Sequence, residues 1–225
     1  EGTGAERFVV PCDYLYLYGN RAAFAADDYG WGLRRDAGWE WEEIEGAAVR
    51  AAEPLVGAEQ GFAARMGRHG RISDPGAYVE ALAAEVVRQG GRIVRAGVED
   101  IVVAEGRVTG VRAGGETLAC DDVVIAAGAW SAKLCARLGL KVPLESERGY
   151  HMELWEPDTM LRAPLMVASG KFVATPMDGR IRLAGIVEFG GVEAPASRGP
   201  EALLERGAQR VFPDLRWGET THWMG

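Results

Sequence analysis

Alternation marks the first hydrophobic stretch. In YLYLY (14–18) the tyrosines fall on one face and Leu15 and Leu17 on the other, which predicts a strand covered on both sides. Arg21 to Asp36 is alanine-rich and mixed in charge and reads as helix, weakened by Gly30 and Gly32. Trp39 and Trp41 predict a short strand before a second helix near Glu45 to Ala52, and MGRHGRIS (66–73) reads as a loop. Asp74 and Pro75 then supply an N-cap and a proline at the first helical position. Tyr78, Leu82 and Val86 recur every four residues until Gly90-Gly91 stops the helix.

Four β-like runs follow: RIVRA (92–96), VEDIVVA (98–104), RVTGVRA (107–113) and DDVVIAA (121–127). Val123, Val124 and Ile125 form a continuous apolar run, as expected of a parallel strand buried on both faces, and the helix after it closes at Gly139. Beyond Pro143 the pattern turns antiparallel. ERGYHMELW (147–155) leads to KFVATPM (171–177), then Asp178-Gly179, then RIRLAGIVEF (180–189). Asp-Gly between two β-rich runs predicts a hairpin with a type I′ turn, which needs positive φ at both central residues. Pro176 implies that the first arm ends there or lies at an edge. A last helix spans about Pro200 to Val211, ahead of Pro213.

Composition narrows the class. The 225 residues, 48% hydrophobic and 26% charged, suit a globular chain with a sizeable core in one large domain or two small ones. A net charge of −8 argues against a nucleic-acid partner. Cys12, Cys120 and Cys135 are an odd number without a C-x-x-C, which favours reduced thiols and a cytoplasmic setting over a disulfide frame or a zinc site. No apolar run approaches the roughly 20 residues of a membrane span.

Two stretches carry candidate chemistry. A strand ending in Ala126-Ala127-Gly128-Ala129 lets backbone approach a ligand at the carboxyl end of a sheet, although tight strand-to-helix packing explains the same pattern. GTGAER (2–7) and GWGLRR (30–35) lack the third glycine and preceding strand of a dinucleotide loop. In an extended strand Arg148, Tyr150 and Met152 face one way, and His151 and Glu153 the other. A guanidinium beside a phenol suits a carboxylate-bearing substrate; a surface arginine paired with Glu145 or Glu147 is the alternative. Arg182 and Glu188 share a face that reads as solvated, and His69 and His222 have no metal-ligand partners at recognisable spacing. G-x-S-x-G, H-E-x-x-H and P-loop motifs are absent from the sequence.

Taken together, VEDIVVAEGRVTGVRAGGETLACDDVVIAAGAWSAKLCARLGLKVPLESERGYHMEL and TPMDGRIRLAGIVEF resemble the D-amino-acid oxidase type of FAD-dependent oxidoreductases, above all its bacterial D-amino-acid dehydrogenase branch. The resemblance covers roughly residues 70 to 225, with a weaker echo in YLYLY. It implies a mixed α+β and α/β fold: a largely antiparallel substrate-domain sheet with helices, plus an incomplete Rossmann-like FAD-binding part. Residues 1–73 and 141–225 would belong to the substrate domain, and 74–140 to the FAD-binding domain. By the same resemblance Val98, Ala127, Gly128 and Trp130 lie along FAD, and Arg148, Tyr150, Phe172 and Thr175 meet a small amino-acid or amine substrate. The implied reaction passes hydride from the amine-bearing carbon to flavin, leaving an imine that water hydrolyses, without an obligate side-chain base. The electron acceptor is open. The family's opening G-x-G-x-x-G strand and the stretch beyond its W-M-G-like segment have no counterpart here. The chain is therefore expected to be an internal segment, weak or lacking in FAD binding and inactive by itself. A reading from another class is a non-catalytic α+β module that binds small carboxylates or a partner chain.

Overall fold

The computed structural model describes residues 2–225. Its strands are β1 (Val9–Tyr18), β2 (Glu42–Glu45), β3 (Phe62–Ile72), β4 (Val98–Ala104), β5 (Arg107–Ala113), β6 (Glu116–Ala119), β7 (Glu147–Trp155), β8 (Leu165–Val167), β9 (Phe172–Met177), β10 (Arg180–Phe189) and β11 (Thr220–Met224). The helices are α1 (Arg21–Ala25), α2 (Asp28–Asp36), α3 (Ala47–Ala52), α4 (Pro75–Arg88), α5 (Ser131–Arg137) and α6 (Gly199–Val211). Contacts divide the chain into two units. One holds Glu1–Glu85, Gly149–Val187 and Ala196–Gly225, and the other Val86–Arg148 and Glu188–Pro195.

An eight-stranded sheet ordered β11-β7-β10-β9-β8-β1-β3-β2 organises the first unit. Its pairings are antiparallel apart from the parallel β1–β8 contact in the pairs resolved. Strand alternation sends Leu15, Leu17, Met152, Leu154, Phe172, Ala174, Ile181 and Leu183 to one face, where they are essentially solvent-free. Against them pack Val49 of α3 and Leu204, Ala208 and Val211 of α6, whose four- and three-residue spacing makes one apolar stripe. Burying each large side chain stabilises the unit by about 1.5–3 kcal/mol.

The opposite face is covered over only part of its width. Above β1 and β3, Trp31 of α2 packs with Tyr18, Phe62, Ala64 and Met66. The Trp31 Nε1–H donates to the Tyr18 hydroxyl at 2.8 Å, and that hydroxyl donates to Asp27 at 2.7 Å. Burial, then the Asp27 carboxylate, pushes the Tyr18 phenol up to about 12.

Several expectations change. MGRHGRIS is strand, not loop: β3 runs through Gly67 and Gly70 and pairs with β1 up to Val9–Ile72. The first helix breaks into α1 and α2 around Ala26 and Asp27, and the short strand falls at Glu42–Glu45 rather than on the tryptophans. Only Gly179 of the Asp-Gly turn takes positive φ (70°). Asp178 is held differently: its N–H donates to the Ser73 carbonyl, and the Ser73 hydroxyl donates to its carboxylate. Pro176 sits inside β9 opposite Ile181, where the short β8 no longer runs alongside to want an N–H.

In the second unit β4, β5 and β6 form an antiparallel ribbon, β6 being unforeseen in the sequence. RIVRA and DDVVIAA join no ladder. Among the described residues no strand pairs with them, and Val124 is 88% exposed. A doubly buried strand needs neighbours on both edges, and pattern alone does not supply them. The turn after residue 127 leads into α5, and Gly139 closes that helix at φ 77°.

Candidate functional site

Two sites take shape, one within each unit. In the second unit, Val98 opens β4, Ala127 ends the extended run, and Trp130 closes a short 3-10 turn begun by Gly128. Val98, Ala127 and Trp130 line one concavity of about 520 Å³ together with Gly97, Leu134, Lys133 and Arg137. Val98 and Ala127 also border a neighbouring concavity of about 360 Å³, walled by Ile101, Val111, Ile125 and Leu134. Gly128 has φ 53°, and a Cβ there would meet nothing within 4 Å, so the backbone is open to approach. Three of the four residues read as cofactor-binding thus share one lining, and the fourth adjoins it. Apolar walls with a half-exposed indole suit a flat ring system, while Lys133 and Arg137 at the rim are already paired with Glu193 and Asp100. The residues present therefore fit one wall of an FAD crevice; a glycine-rich phosphate loop is not in the sequence.

Arg148 also belongs to this unit. It is 5% exposed and pairs with Glu188 at 2.5 Å, not with Glu145 or Glu147. Its Nη1 donates to the carbonyls of Ala194 (2.6 Å) and Pro195 (3.2 Å). Ile186, between Arg182 and Glu188 in β10, has a positive φ of 59°.

In the first unit the substrate-side residues separate. Tyr150 and Phe172 are both 1% exposed and lie in the core, where the Tyr150 hydroxyl accepts from the Ser197 N–H at 2.7 Å. Thr175 is half-buried on the opposite face, directly across from Arg182. That face carries a row that the sequence reads as solvated. His151 of β7 pairs across with Trp223 of β11, and their rings stack 3.8 Å apart at 5°. Glu153, the next residue on the His151 side, bonds Arg180 at 3.0 Å with both side chains largely buried. Arg182 is half-buried and, among the described residues, has no hydrogen-bond or ion-pair partner; its Nε is enclosed without one. Burial lowers its pKa, Glu153 opposes that shift and Arg180 adds to it. The sequence signal for this site is the alternation that excludes Arg182 from the core while Ile181 and Leu183 enter it.

His151 is shifted the same way: burial first, then Arg182, lowers its pKa below the ordinary 6.5, against a raising influence from Glu153. The folded protein therefore binds this proton less readily than the unfolded chain. The His151 contribution is full above pH 6.5 and falls as pH drops below it towards the depressed folded value. His151→Phe, which keeps the stack, should flatten that part of the profile. Urea midpoints measured across the window test this; an unchanged slope removes His151 as its source.

A sequence model described as FAD dependent oxidoreductase matches residues 2–225. The chain belongs to this family. It is 33% identical over 215 residues to a D-amino-acid oxidase of Bradyrhizobium diazoefficiens, covering 96% of this chain and 51% of that protein. A D-amino acid dehydrogenase of the same organism is 27% identical over 219 residues, covering 94% and 52%. The chain thus spans about half the length of these curated relatives. Among solved structures, glycine oxidase from Geobacillus kaustophilus superposes with a TM-score of 0.83 at 22% identity, over 96% of this chain and 59% of that one. This supports the mixed fold with a large, mostly antiparallel sheet, and membership makes FAD the family cofactor. Among the described residues no helix is long and apolar enough to cross a membrane, and no cluster of three or more metal-ligating side chains occurs.

Proposed function

We propose that this chain supplies the substrate-side sheet and part of the cofactor wall of an enzyme that oxidises the C–N bond of a D-amino acid or related amine. The observation that carries the reading is the family match along residues 2–225, with relatives named D-amino-acid oxidase and D-amino acid dehydrogenase. Val98, Ala127, Gly128 and Trp130 would hold part of FAD, the open backbone at Gly128 letting a ring system approach. When bound, FAD supplies the two-electron acceptor for hydride removal from the amine-bearing carbon. The chain's own residues exclude water and orient the reactant. Thr175 faces the uncovered side of the sheet, and Tyr150 and Phe172 support that sheet from its core. Arg148 braces the segment around Glu188 to Pro195 and does not touch the substrate.

Anaerobic addition of D-amino acids and simple amines to the FAD-loaded protein tests the reading. The expected result is bleaching of oxidised flavin with equal release of a carbonyl product and ammonia or amine. If no amino acid or amine bleaches a flavin that dithionite does bleach, the reading fails and the non-catalytic carboxylate-binding alternative stands.

A further inference from the structure

We infer that Ile186 is a positioning residue: its left-handed backbone inverts the alternation of β10 and turns Val187 onto the uncovered face, where it favours amine substrates with an apolar side chain. In the first half of β10 the odd positions enter the core. Ile181 and Leu183 are solvent-free there, and a Cβ on Gly185 would press on core-facing Phe172. Simple alternation would carry Val187 and Phe189 inward as well. They are instead 56% and 67% exposed, and the even-numbered Ile186 packs against the core. Gly185 and Ile186 thus lie consecutively on the core side, the mark of a β-bulge. The inversion falls at Ile186, whose φ is 59°, just past Gly185, the last residue of β10 paired with β9.

Glu188 follows the inverted pattern. On β7 the buried positions are Arg148, Tyr150, Met152 and Leu154, so Arg148 lies on the core side of its strand. An uninterrupted β10 would put Glu188 on the face of Arg180 and Arg182, away from Arg148. After the inversion the two form their ion pair. A β-branched residue in the left-handed region is strained, and such strain persists where the aim it gives the chain is used.

Val187 is what the inversion adds to the uncovered face. That face already carries Ala184 of β10, in register with Val173 of β9, itself in register with Met166 of β8. All three are partly buried. An apolar row with one projecting side chain suits the side chain of a substrate, not its charged groups. This deepens the proposed function by naming a substrate class, and it rests on that reading only for the claim that Val187 meets the substrate.

Stability tests the strain. Ile186→Ala and Ile186→Gly both remove the side chain, but only glycine is at ease at φ 59°. Ile186→Gly should therefore unfold at the higher urea concentration, the reverse of the order in a regular strand. A midpoint no higher than that of Ile186→Ala overturns the strain. Labelling tests the inversion with Ile186 intact. With Cys12, Cys120 and Cys135 replaced by serine, Val187→Cys should react with a maleimide at the rate of an exposed thiol. Protection that is lost only on unfolding overturns the inversion.

Kinetics of the FAD-loaded protein test the contact. Val187→Ser should raise KM for D-leucine by about tenfold, the scale of a small apolar contact, and leave that for glycine unchanged. Equal changes for both substrates, or none, overturn the substrate role. Deleting Ile186 restores simple alternation and should raise the D-leucine KM in the same way while kcat for glycine is kept. A deletion variant with the wild-type D-leucine KM overturns the positioning role. If no amine is oxidised at all, the urea and labelling results still decide the inversion, so its failure and that of the proposed function remain distinct.

Discussion

Arg148→Met should lower the stability of the protein by about 3 kcal/mol, the lower end of the cost of breaking one partner out of a buried ion pair. Arg148 is 5% exposed, while Glu188 opposite it retains 30% of its side-chain exposure, which places the loss at that lower end. The substitution takes from Glu188 its guanidinium partner and from the Ala194 and Pro195 carbonyls their donor. Gly190 is part of the same brace, since a Cβ there would stand 2.7 Å from Arg148 Nη2. Gly190→Ala should therefore disturb the segment in the same direction. Urea denaturation measures both. A loss below about 1 kcal/mol for Arg148→Met would mean that the pair behaves like an exposed one. The comparison with Arg182→Met is instructive: the same chemical change on a neighbouring strand should cost nothing in stability, because Arg182 has no partner to lose.

The second large effect is at Phe172, where truncation to alanine should cost about 3–5 kcal/mol. Its ring is 1% exposed and abuts three glycines. Cβ atoms at Gly170 and Gly207 would lie 2.5 and 2.7 Å from the ring, and one at Gly185 would lie 2.7 Å from the Phe172 backbone. Gly207 lies inside α6, where alanine is intrinsically favoured over glycine by about 0.8–1.0 kcal/mol. The contact should outweigh that preference, so Gly207→Ala destabilises the wild type. In the Phe172→Ala background the ring is gone, and Gly207→Ala should become stabilising. Thermal melts of the two single variants and the double variant form a cycle that reads this sign change. Additive effects would remove the contact as the reason for the glycine. A fall in Tm without a matching rise in substrate KM would identify Phe172 as a core residue.

Much of the architecture is legible in local signals. The alternation in YLYLY and in ERGYHMELW reads directly onto β1 and β7, because side-chain period and burial coincide there. Asp74 caps α4 as its position suggests, accepting from the Ala77 N–H at 3.0 Å. Legibility ends where an element depends on a distant neighbour. MGRHGRIS becomes strand because β1 lies beside it, overriding two glycines. DDVVIAA, with the stronger β pattern, pairs with no described strand.

The same division runs through the sites. From the sequence, a shared lining of Val98, the Ala127-Gly128 turn and Trp130 was implied by the family resemblance alone. The sequence by itself determined which side chains of each regular strand face together. Only the tertiary structure decided which charge is satisfied. Arg180 takes Glu153 across 27 residues of chain and Arg148 takes Glu188 across 40, leaving Arg182 alone beside His151. Composition counts these charges without pairing them. Pairing follows from cross-strand register, which arises only when distant strands meet.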